Sequence, residues 1–85
     1  MAIALRDRVS VVDTDYGAVL LDVKTGVYWE LNSSGALALK ALLASADIDA
    51  ATAEVTAQFD VDQQTATEDV RALLAELRSA GLVTG

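Results

Sequence analysis

Cysteine, histidine and proline are absent from the 85 residues. Without cysteine there is no disulfide staple and no thiolate metal site. Without histidine there is no imidazole ligand and no triad built on an imidazole base. Bases are scarce: six Lys and Arg stand against 13 Asp and Glu, for a net charge of −7. Such a surface repels nucleic-acid phosphate and anionic lipid, so capture of either is not expected. No apolar run approaches the roughly 18–20 residues of a membrane span. The opening Met1-Ala2-Ile3-Ala4-Leu5-Arg6 lacks a charged leader ahead of a long apolar stretch, so no signal peptide is read there. The expected compartment is the cytoplasm, and no cofactor is expected.

Hydrophobic residues are plentiful, at 53%, enough to give one small domain over 1–85 a core. The charge is uneven. Residues 1–46 hold five acids and four bases, whereas 47–76 hold eight acids and only Arg71. The plain reading of the second stretch is a solvated acidic helical surface.

The halves also differ in period. Val9-Ser10-Val11-Val12 is short and β-branched, with a turn-type cluster after it, Asp13-Thr14-Asp15. Tyr16 to Val23 reads as a second strand. Lys24-Thr25-Gly26 connects it to a third, Val27-Tyr28-Trp29-Glu30-Leu31, with Gly26 free to take positive φ. Asn32 is a good helix cap, and from Ala36 to Ala44 only Lys40 is polar, which predicts a largely buried first helix over 33–45. A second helix is expected at about 50–59, capped by Asp49, with Ile48, Ala51, Val55 and Phe59 facing inward. Asp62 caps a third at about 63–80, where Val61 and Ala66 are placed as a hydrophobic staple. Its apolar stripe is read as Ala66, Val70, Leu73 and Leu77 with Leu74 at the flank; Gly81 stops it, and Leu82-Val83 can fold back. The fold class is α+β: a three-stranded antiparallel sheet followed by three helices. The last two helices form a helix-turn-helix-like pair.

Chemistry finds little support. The carboxylate pairs Asp13/Asp15 and Asp60/Asp62 fall in turns and caps, where Asp is routine. Ser33-Ser34 has no base partner. No residue is assigned as catalytic or as a metal ligand. DNA reading by the third helix would set Glu68 and Glu76 against phosphates. The sheet edge is different. Natural edges are blunted by Lys, Pro or a bulge, yet Val27-Tyr28-Trp29-Glu30-Leu31 has neither Lys nor Pro. Occupied by a partner strand, it is a binding site; otherwise its aromatics are ordinary packing and the chain's own terminus covers it.

The runs Tyr16-Gly17-Ala18-Val19-Leu20-Leu21-Asp22, Gly26-Val27-Tyr28-Trp29-Glu30-Leu31-Asn32 and Asp69-Val70, Leu73-Leu74, Leu77, Ala80-Gly81-Leu82 together resemble the PqqD-like family, in particular its stand-alone lasso-peptide members. The resemblance spans roughly 8–83. It implies a non-catalytic, winged helix-turn-helix-like recognition element for ribosomally made, post-translationally modified peptides (RiPPs). The leader of a precursor peptide would add as a strand beside the third strand and lie against the third helix. The precursor would then pass to a leader protease and a macrolactam-forming cyclase. Carried onto this chain, the peptide-binding residues are Val27, Tyr28, Trp29, Glu30 and Leu31, with Asp69, Val70, Leu73, Leu74 and Leu77 as the cleft wall. Alternatives are a partner of a radical-SAM or cyclodehydratase enzyme and a small helix-turn-helix regulator. The open edge also allows a homodimer.

Overall fold

The computed structural model describes residues 2–85. Its order is β1 (Ala4–Leu5), β2 (Val9–Thr14), β3 (Gly17–Asp22), β4 (Tyr28–Asn32), α1 (Ser33–Ser45), α2 (Ile48–Gln58), α3 (Gln63–Ser79) and β5 (Val83–Thr84). The three-stranded antiparallel sheet runs β2-β3-β4, and the three helices follow it. The first helix falls on the expected 33–45, because Asn32 Oδ1 accepts the Gly35 N–H at 2.8 Å.

Three local expectations are corrected. The first hairpin turns at Asp15-Tyr16, since β2 pairs through Thr14↔Gly17; the cluster at 13–15 is mostly strand. Gly17 has φ +151, and a Cβ there would strike the Leu31 carbonyl, so only glycine lets these two strands cross so closely. The second helix begins two residues early, because Asp47 rather than Asp49 caps it, accepting the Asp49 N–H at 2.9 Å. Leu73 and Leu74 exchange roles: Ala66, Val70, Leu74 and Leu77 are buried, and Leu73 is half-buried.

The sheet's inner face carries Val9, Val11, Ala18, Leu20, Trp29 and Leu31. All but Ala18 join one core with Leu39 and Leu42 of α1 and the buried stripe of α3. On the outer face, Val12 and Tyr28 are exposed. Leu82 and Val83 do fold back: both are buried, and β5 pairs with β1 through Ala4↔Thr84 and Leu5↔Val83. That two-stranded ladder was not foreseen. It draws the chain's own terminus to β1 and away from β4.

Asp22 organises this frame. It is only 4% exposed. Its carboxylate accepts from Arg8 Nε at 2.9 Å and from the N–H groups of Lys24 and Thr25 at 2.9 and 3.3 Å. Arg8 Nη2 also donates to the Gly81 carbonyl at 3.3 Å, linking the sheet to the end of α3. The Arg8 guanidinium, with the two turn amides, holds the Asp22 carboxyl below the ordinary carboxylate value against the cost of desolvation. A depressed folded-state pKa contributes stability that is complete above the unfolded value, about 4, and is lost as pH falls through the folded value. Urea midpoints measured from pH 7 down to 3 should therefore fall below about pH 4. Asp22→Asn should lower the midpoint at pH 7 and flatten that acid-side slope; equal slopes for the two proteins would remove Asp22 from the account.

Candidate functional site

β4 is an edge strand, and its outer rim is unpaired among the described residues. The Asp22 N–H donates to the Val27 carbonyl at 2.9 Å. Antiparallel alternation from that bond turns the main-chain groups of Trp29 and Leu31 toward β3. Those of Tyr28 and Glu30, with the Asn32 N–H, face outward, and no hydrogen bond among the described residues occupies them. Val27 lies before the strand: its N–H is taken by Thr25 Oγ1 at 3.2 Å, so it contributes nothing to the free rim. Side chains alternate the other way. Trp29 and Leu31 point inward and are half-buried, while Tyr28 and Glu30 lie on the exposed outer face.

Two recesses lie along α3, one near each end of β4, and together they outline a groove. The first, about 400 Å³, has Asn32 at the end of β4 on its margin. Phe59, Val61, Ala66, Val70 and Leu73 make it apolar, and Asp69 stands at its edge. The second, about 390 Å³, lies between Trp29 and the Glu76, Ser79 and Ala80 end of α3. Asp69, Leu73, Glu76 and Ala80 follow one another at three- and four-residue steps, so they form one helical stripe along the groove.

Of the wall residues read from sequence, the structure brings Asp69, Val70 and Leu73 to the groove. Val70 does double duty as core, at 1% exposed. Leu74 and Leu77 line neither recess; both are buried in the core, at 3% and 0% exposed. Sequence reasoning missed Glu76 and Ala80, although their spacing from Asp69 and Leu73 placed them on that stripe. It also missed Phe59 and Val61, which only the folding of α2 against α3 brings there.

The polar groups elsewhere are structural. Asp62 Oδ1 accepts the Thr65 N–H at 2.7 Å, which holds the Asp62 carboxyl below its ordinary value. No group of three or more His, Cys, Asp or Glu is placed to share a metal ion among the described residues. No helix described is long and apolar enough to cross a membrane. The exposed α3 surface carries Gln63, Gln64, Glu68 and Arg71, with Gln64 Nε2 donating to Glu68 at 3.4 Å.

The family model for PqqD, Coenzyme PQQ synthesis protein D, matches residues 17–83. No curated protein matches the sequence. Two solved structures are similar over the whole chain. "Lasso peptide synthetase B1 complexed with the leader peptide" is 34% identical with a TM-score of 0.88, and all of that chain is covered. "TbiB1 in Complex with the TbiA(beta) Leader Peptide" is 28% identical with a TM-score of 0.80, and 96% of that chain is covered.

Proposed function

The chain belongs to the PqqD family, and we propose on that basis that it is a RiPP recognition element that holds the leader segment of a lasso-peptide precursor. The observation that carries the reading is the free main-chain rim of β4 lying beside an apolar groove on α3. A leader strand would take the outward groups of Tyr28, Glu30 and Asn32 and send alternate side chains into the groove. Both similar structures are named as leader-peptide complexes, and the one named as a lasso peptide synthetase supports a lasso leader over the substrates of radical-SAM or cyclodehydratase systems.

The energies are consistent with reversible docking. Strand hydrogen bonds at about 0.5–1.5 kcal/mol each barely offset the cost of association. Two leader side chains buried in the recesses, at about 1.5–3 kcal/mol each, carry affinity from the millimolar to the tens-of-micromolar range, and a tighter complex needs further buried contacts along the strand. The role is docking without chemistry. By holding the leader, the protein raises the effective concentration of the core peptide at a bound leader protease and macrolactam cyclase. Without peptide, the same rim is free to pair with a second copy, and leader is expected to displace it. The acidic surface speaks against the regulator reading.

The test is fluorescence polarisation with labelled leaders of short precursors encoded beside this chain, truncated from each end. A dissociation constant in the micromolar range or below, retained by a segment of about ten residues, is expected. No saturation by any leader at 100-fold higher concentration would overturn the reading.

A further inference from the structure

The two recesses of the groove differ in chemistry, and resting on the reading above, that difference narrows the class of peptide. The Asn32 end is walled by Phe59, Val61 and Leu73. At the other end Trp29 and Glu76 line one recess, together with Ala75, Ser79 and Ala80. Glu76 makes no ion pair among the described residues; the two pairs found are Arg8–Asp22 and Lys40–Asp13. Neither recess has a cation in its lining. Arg78 lies on another face of α3 and donates to the Gly85 carbonyl at 2.8 Å.

We infer that the Trp29–Glu76 recess is a subsite for a lysine or arginine of the bound strand. The aliphatic stem lies along the indole, and the charged head meets Glu76. Strand geometry fixes where that base sits. Glu76 and Ala80 are seven residues beyond Asp69 and Leu73, about 10 Å along the helix. An extended strand covers that in about three residues, and side chains on one face recur every second residue. The base therefore lies two or four residues from the apolar anchor that fills the Phe59–Leu73 recess. An acidic residue at that position is repelled by Glu76, and by Asp69 further along.

The test is selection of a displayed 16-residue random-peptide library on the full chain and, separately, on its Glu76→Lys variant. Only peptides that lose binding to Leu73→Asp count as groove binders. On the natural chain these are expected to pair an apolar anchor with Lys or Arg at two or four residues' distance. On Glu76→Lys the same position should turn acidic. Replacing the base by glutamine in a selected peptide should cost roughly fivefold in affinity to the natural chain, whereas for Glu76→Lys it should cost nothing or improve binding. Apolar anchors without a charge preference, or the same peptides from both chains, overturn this inference and leave the groove reading standing. If no selected peptide is sensitive to Leu73→Asp, the groove reading falls, and this one with it.

Discussion

Leu73→Asp is expected to weaken leader binding about 100-fold or more while the far-UV circular dichroism spectrum stays that of the natural protein. Leu73 is half-buried and lines the apolar recess beside Asn32. Removing its side chain from that wall forfeits most of the roughly 1.5–3 kcal/mol gained when a leader side chain packs there. The new carboxylate must also lose water when the recess fills, and Asp69 already stands at the edge. Together these exceed the 2.7 kcal/mol that corresponds to a factor of about 100. The fold survives because an aspartate at a half-exposed helical position can turn to solvent. Leu77→Asp is the contrast. Leu77 is fully buried, so a charge there has no escape, and loss of the helical spectrum is expected. A folded Leu73→Asp protein that binds leader as tightly as the natural chain would remove the Asn32 recess from the site.

The leucine pair also shows how far the residues alone carry the structure. Leu73 and Leu74 differ by 100° around the helix, and either completes a stripe with Val70 and Leu77. Hydrophobicity cannot choose between them; the position of α1 beneath α3 does. Asn32, by contrast, was readable as a cap, because its carboxamide acts on a neighbour three residues away. Asp47 and Asp49 are both good caps by type, and the start of α2 was misplaced because capping preference does not separate two candidates two residues apart. The β1–β5 pairing joins residues some 80 positions apart, and two-residue strands leave no periodic trace. The β4 edge was readable from the lack of Lys and Pro within it. Its free rim stops at Tyr28 because the groups of Val27 face β3 and the chain turns before it at Gly26, whose N–H is taken by the Asp22 carbonyl at 2.8 Å. Glu76 looked like one more solvated acid, and only the groove distinguishes it from Glu68.

Glu30→Pro separates the two halves of the site, the strand rim and the groove, and is expected to cost at least tenfold in leader affinity with the domain still folded. Proline removes an N–H, and its effect on a strand depends on which way that N–H points. The Glu30 N–H points outward, away from β3, so the β3–β4 ladder keeps its bonds; proline is tolerated at such edge positions. An added strand loses the bond to that N–H and meets the pyrrolidine ring in its path. One strand bond is worth about 0.5–1.5 kcal/mol, and tenfold in affinity is 1.4 kcal/mol, so the ring's intrusion carries the loss past that threshold. The Leu73 recess is untouched, because the Glu30 side chain lies on the outer face of the sheet. Trp29→Pro is the control with the opposite geometry: its N–H faces β3, so that variant should lose thermal stability before any peptide is added. Thermal melts and fluorescence polarisation on both proteins decide the matter. If folded Glu30→Pro binds leader undiminished, the peptide does not dock as a strand on β4, whatever Leu73→Asp does.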